Sequence, residues 1–466
     1  MSECTHHDID LLDKVKKLHF VGIGGSGMCP IAEILHNKGY IITGSDANES
    51  ENLNRVRKCG IPVTLGHDAK NIGDADALVY TAAVKQDNPE LMAAREKKIP
   101  VIERAVMLGL LTHRYENAIA VSGTHGKTTT TAMITQTLMT GGKDPSAIIG
   151  GRLPLLQSNA RVGHSDTIVC EACEYVDTFL KLHPTVSVIL NVDGDHLDYF
   201  GTLENIIKSF HKFADLTSQV LIVNGDDPNT MESVKELSGR ELYTFGMGED
   251  NDYRAVDPKL NDHYGYTYDL LFRGEKVCEI VLSVPGMHNL MNSLAAAAVC
   301  HLCGVSPEKI AEGLHAFTGV HRRFEILGKF NGVTVADDFA HHPTELEVTL
   351  SAAMKMGFNK VWAVFQPHTY SRTYLLMDDF VKALSIPDRV VMTEILAVRE
   401  TNTYNVYTQD LVDRLPNSCW FDSFDKISDY VIENAEPGDL ILTLGGGDIY
   451  RCAYMIVDKY KARENQ

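Results

Sequence analysis

Short apolar runs alternate with amphipathic stretches along the chain, and this alternation predicts strands separated by helices. An apolar run at 18–23 leads into a glycine-rich turn, and the stretch after the turn has the apolar spacing of a helix. A second run at 40–43 leads to Asp46, and a third lies at 77–84. This order is typical of βαβ units and predicts a parallel sheet with helices on its faces.

The same pattern recurs twice further along the chain. A second segment has apolar runs at 166–172, 186–192 and 219–225, followed by a β-rich insert and a helix at 288–303. A third segment has apolar runs in VTVADD, KVWAVF, RVVM and LILTL, which predict a small doubly wound sheet. We therefore predict an α/β protein with three domains, spanning residues 1–113, 114–320 and 321–466.

The length of 466 residues and the formal net charge of −19 restrict the class of protein. The length exceeds one compact core, and the acidic balance argues against nucleic acid as a partner. No apolar run reaches the roughly 18 residues of a membrane span, and residues 1–17 lack the apolar stretch of a signal peptide. We expect a cytoplasmic protein, with a homodimer as an open alternative to a monomer.

Two Cys-x-x-Cys pairs, Cys170/Cys173 and Cys300/Cys303, occur among the ten cysteines. Together they could form a zinc site. Alternatively they pack as small apolar residues, since Cys170 ends an apolar run and Cys300 follows an alanine-rich helical stretch. We favour the second interpretation and expect free thiols.

The first glycine turn has the pattern G-x-G-x-x-G, formed by Gly22, Gly24 and Gly27, and Asp46 ends the next strand. Free amides at a helix start bind a diphosphate, and an acid at this distance contacts a ribose. NAD-dependent dehydrogenases share this pattern, but UDP-sugars carry the same diphosphate. The alternative without a ligand is a tight turn that only allows the helix to pack on the strand. The pattern favours a diphosphate and does not specify nicotinamide.

The second glycine turn follows a strand, opens a helix and reads Gly123-Thr124-His125-Gly126-Lys127-Thr128-Thr129. In such a phosphate-binding loop, backbone amides surround phosphate oxygens, the lysine reaches the β- and γ-phosphates, and the hydroxyl binds Mg²⁺. The full P-loop pattern would need glycine in place of Val121. The alternative is an ordinary helix start with a surface lysine, which the strand–turn–helix context disfavours.

Acids and a histidine follow two later strands of the second segment. Glu171 is a candidate Mg²⁺ ligand beside Thr128, and His196 is a candidate ligand for a second cation. The alternatives are solvated acidic turns and a structural histidine. Two different diphosphate-binding turns in one chain favour an enzyme that brings ATP to a second phosphorylated substrate.

The chain resembles the Mur ligases over essentially its full length. The matching stretches stand in the family order: HFVGIGGSGM, SGTHGKTTTT, EACEYVDTF, NVDGDHLDYF, PGMHNLMN, HRRFE, DDFAHHPTE and FQPHTYSRT. The resemblance implies a UDP-binding Rossmann-like domain, a central P-loop ATPase domain, and a C-terminal Rossmann-like domain that closes on ATP and the amino acid. HFVGIGGSGM and DDFAHHPTE are most similar to the member that adds the first amino acid in peptidoglycan precursor synthesis. The implied substrates are UDP-N-acetylmuramate, L-alanine and ATP, with Mg²⁺.

The resemblance also assigns roles to matching positions. The UDP-sugar site corresponds to Gly24, Gly25, Ser26, Gly27, Met28 and Asp46. The ATP site corresponds to the 123–129 turn with His288, Asn289 and Asn292 at the adenine, and Arg323 and Asp338 at phosphate and ribose. The metal ligands correspond to Thr128, Glu171 and His196, and the amino-acid site to His341 and Arg372. The catalytic residues implied are Lys127, His196 and His341.

The implied reaction phosphorylates the muramyl carboxylate to an acyl phosphate, which the amine of alanine then attacks. His341 is the candidate base for the amine. The chain departs from the family pattern at Phe339, often tyrosine, at Thr369, sometimes arginine, at Cys173, often acidic, and in LGGGD, often GAGD. These departures affect the amino-acid site more than the family assignment.

Three alternatives remain open from the sequence. A recycling ligase would attach a preformed murein peptide to the same sugar nucleotide. A nicotinamide-dependent oxidoreductase would use only the first turn, and a regulatory nucleotide-binding protein would lack catalysis.

Overall fold

The computed structural model describes residues 9–261, 265–398 and 400–464, apart from the side chains of residues 197, 198 and 464. The described chain is α/β, and its strands form three sheets. It divides into two compact units, Met1–Thr318 and Gly319–Gln466. The first two sheets belong to the first unit and the third sheet to the second.

The first sheet consists of β1 (Lys17–Val21), β2 (Ile41–Asp46), β3 (Val63–Leu65), β4 (Ala77–Tyr80) and β5 (Val101–Glu103). Its helices are α1 (Leu11–Lys14), α2 (Cys29–Asn37), α3 (Glu51–Lys58), α4 (Pro89–Glu96) and α5 (Arg104–Thr112). The strands run parallel in the order β3-β2-β1-β4-β5. Val21 pairs with Ser45, so the end of β2 lies beside the turn that follows β1.

The second sheet has ten strands: β6 (Asn117–Ser122), β7 (Ser146–Leu153), β8 (Ser158–Arg161), β9 (Thr167–Glu171), β10 (Val186–Ile189), β11 (Val220–Asn224), β12 (Glu241–Gly246), β13 (Tyr253–Leu260), β14 (Tyr266–Phe272) and β15 (Glu275–Val281). Its helices are α6 (Lys127–Thr140), α7 (Leu197–Phe200), α8 (Leu203–Asp215), α9 (Pro228–Ser233), α10 (Met287–Leu302) and α11 (Pro307–His315). The order is β15-β14-β13-β12-β11-β10-β6-β9-β7-β8. The pairs β7–β8, β13–β14 and β14–β15 are antiparallel, and the other pairs are parallel.

One hydrophobic core extends beneath the first two sheets. Its buried residues run from Leu12 in the first segment to Val234 in the second. Helix α5 lies at this junction, where a β-carbon added to Gly109 would be 1.9 Å from the Lys181 carbonyl oxygen. Only glycine allows so close an approach of two backbones. The two segments therefore form one compact unit although each has its own sheet.

The third sheet consists of β16 (Glu325–Phe330), β17 (Val333–Asp338), β18 (Val361–Phe365), β19 (Arg389–Met392), β20 (Ser418–Trp420) and β21 (Leu440–Leu444). Its helices are α12 (Pro343–Met354), α13 (Tyr370–Leu375), α14 (Met377–Leu384), α15 (Thr408–Val412), α16 (Phe424–Asn434) and α17 (Tyr450–Glu464). The order is β16-β17-β21-β18-β19-β20, and only β16 is antiparallel to its neighbour. One core contains α12, α14 and α15, and another contains α16 and α17, so both faces are covered.

The predicted α/β class is confirmed, and each predicted segment contains one sheet. The exact domain boundaries stay predictions. Several strands end before their apolar runs do: the run at 18–23 leaves the sheet after Val21, because Gly22 has a φ of 79° that ends the ladder. The β-rich insert is the antiparallel group β13–β15. Among the helices of the described chain, none combines the length and the apolar character needed to cross a membrane.

The nine cysteines in the described ranges are all free thiols. Cys170 and Cys300 are buried, and the Cys300 thiol contacts the Ile134 carbonyl oxygen. Within the same ranges, no three His, Cys, Asp or Glu side chains are grouped to hold a metal ion. The burial of Cys170 and Cys300 agrees with the expected packing of these two thiols.

Candidate functional site

The second glycine turn lies between β6 and α6, and its glycines are required by both conformation and neighbours. Gly123 and Gly126 have φ values of 139° and 89°. A β-carbon on Gly126 would lie 2.4 Å from Asn292 Oδ1, and one on Gly123 would lie 2.9 Å from the Leu190 β-carbon. The turn is therefore held against α10 and the chain that follows β10.

Asn191 holds this turn from the neighbouring strand end. Its carbonyl accepts from the Thr124 amide at 3.0 Å, its Oδ1 accepts from the His125 amide at 2.8 Å, and its Nδ2 donates to the His125 carbonyl at 3.1 Å. The first amides of α6 have no partner within the helix, as at any helix start. These amides, at Lys127, Thr128 and Thr129, are thus the donors placed to hold an anion.

Lys127 directs its ammonium back toward its own loop. Nζ donates to the Gly123 and Thr124 carbonyls at 2.6 and 3.1 Å, and it lies 3.0 and 2.9 Å from the two carboxylate oxygens of Glu174. Glu174 is only 2% exposed. Burial alone would lower the pKa of Lys127, but the neighbouring acidic groups, Glu174 first among them, together outweigh it and the net pKa is raised. The lysine is charged and paired.

The predicted metal ligands lie around this ion pair. The Glu171 carboxylate accepts a hydrogen bond from the Gly150 amide. His196 Nε2 lies 3.9 Å from Glu174 Oε1 and 3.8 Å from Asp195 Oδ2. Thr128 is nearly buried, at 8% exposed. Glu174 therefore lies between Lys127 and His196, a position that the sequence pattern did not identify.

The donors present fit a Mg²⁺ ion that is bound together with a nucleotide. Thr128 and Glu171 offer hard oxygen atoms, which Mg²⁺ prefers. No described group of three or more His, Cys, Asp or Glu side chains is placed to hold a metal without further ligands. A cation here would take its remaining ligands from phosphate oxygens and water, as Mg²⁺ commonly does.

The start of α10 adjoins the same turn through Asn292. Asn292 Nδ2 donates to Asn289 Oδ1 at 3.1 Å, and Asn289 Nδ2 donates to the Pro285 carbonyl at 2.7 Å. Both amides are buried, whereas His288 is exposed. These three residues thus lie together beside the turn, and their contact with adenine stays a prediction.

The first glycine turn lies between β1 and α2. The Ser45 carbonyl accepts from the Gly22 amide at 2.8 Å, and Asp46 Oδ2 accepts from the Gly24 amide at 2.9 Å. Asp46 therefore closes the turn itself, and its predicted ribose contact stays a prediction. The Ser26 and Gly27 amides make no hydrogen bond within the described part of the chain. They are the free donors at this helix start.

Arg104 is a further cation beside the first turn. It is the first residue of α5, and a β-carbon on Gly27 would lie 3.1 Å from Arg104 Cδ and 3.3 Å from Nη1. A guanidinium next to free amides suits a diphosphate, because it offers several donors in one plane. The sequence pattern missed Arg104, since only the sheet topology brings α5 back to this turn.

In the second unit, Asp338 organises the end of β17. Its carboxylate accepts from the Phe324 and Ala340 amides, both at 2.7 Å. Burial raises the pKa of Asp338, and the Arg323 guanidinium opposes this rise. Arg323 lies 5.5 Å from the centre of the Phe339 ring. The structure thus brings Arg323 and Asp338 together, as predicted, while their contact with ATP stays a prediction.

His341 and Arg372 also lie near each other in the second unit. The His341 ring is 5.3 Å from the His368 ring, and Arg372 Nη1 donates to the His368 carbonyl at 3.0 Å. His341 Nδ1 lies 3.0 Å from the Phe339 carbonyl oxygen, which can only accept, so Nδ1 carries the proton and Nε2 has the free lone pair. Burial lowers the pKa of His341, although Glu345 opposes this, so the ring is neutral at pH 7.

A cavity of about 270 Å³ opens at the carboxyl edge of the third sheet. Its walls come from the residues that follow β18, β19, β20 and β21, among them Gln366, Thr393, Leu396, Asp422, Phe424 and Asp448. β21 is inserted between β17 and β18, and the helices after β18 and β21 cover opposite faces. This is the switch point at which open α/β sheets bind ligands.

The chain is an α/β protein with two glycine turns, each between a strand and a helix, in one compact unit. Three family models match the chain in succession: the Mur ligase family catalytic domain at residues 17–116, the Mur ligase middle domain at 121–300, and the Mur ligase glutamate ligase domain at 322–447. The chain belongs to the Mur ligase family.

Individual relatives are similar over almost their whole length. UDP-N-acetylmuramate–L-alanine ligase of Caldanaerobacter subterraneus subsp. tengcongensis is 43% identical, covering 97% of this chain and 100% of that protein. The protein of the same name from Acetivibrio thermocellus is 42% identical over 96% and 97%. Among solved structures, UDP-N-acetylmuramate-alanine ligase from Thermotoga maritima has a TM-score of 0.79 and 29% identity, covering 96% of this chain and 99% of that one. A murein peptide ligase from Psychrobacter arcticus has the same fold, with a TM-score of 0.70 and 22% identity over 96% and 98%.

Proposed function

We propose that the chain is an ATP-dependent ligase that joins L-alanine to the carboxylate of UDP-N-acetylmuramate. The observation that carries this proposal is the presence, in one compact unit, of two glycine turns of different sequence pattern, each opening a helix. The relatives named UDP-N-acetylmuramate–L-alanine ligase, at 42–43% identity over nearly full length, support the substrate assignment. They do not favour the recycling ligase or the oxidoreductase.

The first turn would bind the diphosphate of the sugar nucleotide. The Ser26 and Gly27 amides are its free donors, and the Arg104 side chain lies beside Gly27. Asp46 pairs with the Gly24 amide and keeps the turn closed. Uridine and not nicotinamide would follow the diphosphate, since the chain belongs to a family of ligases.

The second turn would bind the ATP phosphates. The amides that open α6 would surround the phosphate oxygens, and Lys127 would leave its loop carbonyls to neutralise charge on the γ-phosphate during transfer to the carboxylate. Thr128 and Glu171 would hold Mg²⁺, with His196 toward a second cation, and the ion would draw charge from the phosphate oxygens. The acyl phosphate so formed turns a carboxylate, whose leaving group is poor, into a reactive acyl donor.

Alanine would bind at the carboxyl edge of the third sheet. His341 has a neutral ring with a free Nε2, which suits it to take the proton of the attacking amine. The cavity of about 270 Å³ lies at the same edge and has the size for a small amino acid. Arg372, anchored to His368, would supply positive charge for the alanine carboxylate.

The test measures phosphate release by the purified chain with ATP, Mg²⁺ and UDP-N-acetylmuramate, using L-alanine, glycine, L-serine and a murein tripeptide as separate acceptors. We expect release to depend on the sugar nucleotide and to be fastest with L-alanine. Lys127→Ala should lower kcat by at least roughly a hundredfold, because one transition-state cation is lost. Preference for the tripeptide would support the recycling alternative, and near-normal turnover by Lys127→Ala would refute the role of the second turn.

A further inference from the structure

The hairpin formed by β7 and β8 reaches from the second sheet to the first glycine turn. Asn159, on the edge strand β8, donates from Nδ2 to the Ser26 carbonyl oxygen at 2.7 Å. Asn159 is 9% exposed, so this bond is shielded from water. Ser26 lies in the first segment and Asn159 in the second, so the turn is held from outside its own sheet.

Arg55 of α3 fixes the amide of Asn159 in this orientation. Its Nη1 donates to Asn159 Oδ1 at 3.0 Å and to Ser158 Oγ at 2.8 Å, and its Nε donates to Glu33 Oε1 at 2.7 Å. Because the guanidinium can only donate, the oxygen of the Asn159 amide faces Arg55 and the NH₂ group faces Ser26. The direction of the hydrogen bond is thus determined by its neighbours.

Fixing the Ser26 carbonyl also fixes the amide of the next residue. The Ser26–Gly27 peptide group is planar and trans, so the Gly27 N–H points opposite to the Ser26 C=O. Gly27 has no side chain that would restrict its conformation. Without the Asn159 bond, this peptide could rotate, and the Gly27 N–H would lose its direction toward an anion beside Arg104.

We propose that Asn159 is a positioning residue for the nucleoside diphosphate site of the first turn. It acts through Ser26 and orients the Gly27 amide, and Arg55 orients Asn159 in turn. The inference rests on the proposed function, since it takes the first turn to bind the diphosphate of the sugar nucleotide.

The hairpin also contacts the second site. The Gly150 amide on β7 donates to the Glu171 carboxylate, and a β-carbon on Gly150 would lie 2.6 Å from Glu171 Oε2. One hairpin therefore contacts the first turn through β8 and the candidate metal ligand Glu171 through β7. A diphosphate bound at the first turn would therefore restrict the motion of the same hairpin that contacts the candidate ATP site.

The experiment measures binding of UDP to the full chain by titration calorimetry, first for the wild type and then for two variants of Asn159. Asn159→Ala removes the donor, and Asn159→Asp keeps the shape and the contact with Arg55 but places an acceptor against the Ser26 carbonyl. We expect the Kd for UDP to rise roughly tenfold in Asn159→Ala and further in Asn159→Asp, because a shielded hydrogen bond is lost. The KM for UDP-N-acetylmuramate should rise in parallel, with kcat and the KM for ATP changed less than about threefold.

Two controls separate positioning from charge and from general damage to the hairpin. Gln157→Glu places the same charge two residues away at the exposed hairpin tip, and Gln157→Ala removes the exposed amide there. Both should bind UDP within about threefold of the wild type. If Asn159→Ala does not fold, Asn159→Asp alone decides the question, since it is isosteric. Wild-type UDP affinity in a folded Asn159 variant would overturn the inference alone, and failure of the wild type to bind UDP would overturn the proposed function with it.

Discussion

Lys127 shows how a residue chosen by pattern depends on one that the pattern does not identify. The strand–glycine–lysine context predicted its position at the start of α6, and the structure confirms that position. Glu174, its buried partner, lies 47 positions away in sequence. No local spacing rule connects the two, because the contact arises only when β9 pairs beside β6. The sequence pattern did not identify Arg104 for the same reason, because only the sheet topology brings α5 to the first turn.

The Lys127–Glu174 pair should be strongly coupled in stability. Glu174→Gln removes the carboxylate charge and leaves a buried ammonium with two carbonyl partners, so we expect the free energy of unfolding to fall by about 3 kcal/mol. Lys127→Met should lower the free energy of unfolding by a similar amount, because it leaves the buried Glu174 carboxylate without the Lys127 ammonium. The double variant should lose clearly less than the sum, as measured by urea titration. Additive losses would contradict a functional ion pair in the nucleotide-free protein.

Asp337 should make the second unit less stable as the pH rises. Burial raises its pKa from 3.8 to about 6, although Thr443 and Arg322 both oppose the rise. A carboxyl whose folded pKa exceeds its unfolded value stabilises the fold below the unfolded pKa, and this contribution is lost as the pH rises through the folded value. Between about pH 4 and pH 6 the loss amounts to about 2 kcal/mol. Urea unfolding of Asp337→Asn, compared with the wild type at both pH values, should show a smaller decrease, and an equal decrease would refute this assignment.

At the scale of elements, apolar periodicity located most of the parallel strands but missed the hairpin β7–β8. The buried runs of β9, β10, β18 and β21 are nearly continuous in apolar residues, as strands covered on both faces must be. β8 reads SNAR and lies at the sheet edge, so it has no apolar alternation. Two glycines also interrupt β7. The proposed role of the hairpin depends on side-chain contacts between β8 and α3. The pattern of apolar residues in β8 does not predict these contacts.

Any side chain at Gly126 should disrupt the second glycine turn. Gly126→Ala combines a left-handed φ of 89° with a clash against Asn292 Oδ1, so we expect a loss of about 2 kcal/mol in stability and of measurable ADP binding. Gly142→Ala is the matched control, because Gly142 has a φ of 74° but no atom lies within 4 Å of its added β-carbon. The control should cost about 1 kcal/mol and bind ADP normally. Equal effects in both variants would show that backbone strain alone, and not the contact with α10, restricts the turn.

At the scale of the whole molecule, three sheets were predictable but their grouping into units was not. Each recurring βαβ pattern predicts one sheet. The shared core depends on which helix faces meet, as at Gly109 and Lys181, and that information lies in tertiary packing. The predicted closure of the C-terminal domain on ATP likewise concerns the relation between units and stays a prediction.

The second unit should fold alone. The fragment Gly319–Gln466 contains a complete sheet with a core on each face, so we expect a single cooperative thermal transition by circular dichroism. UDP should raise the midpoint of the full chain and leave that of the fragment unchanged, because ligand stabilises only the unit that binds it. A fragment that melts without cooperativity would contradict independent folding of the second unit. A rise in the melting midpoint of the fragment on addition of UDP would contradict binding of UDP by the first unit alone.

The continuous core beneath the first two sheets restricts how such a chain can be recombined during evolution. A crossover near residue 113 would join an unfamiliar α5 to a second segment whose Phe179 and Leu182 are packed for the original helix. Chimeras made at that point should be less stable than either parent unless these partner positions are exchanged as well. The first sheet is thus inherited together with its neighbour, and diversification of its nucleotide specificity would proceed by point substitution more readily than by module exchange.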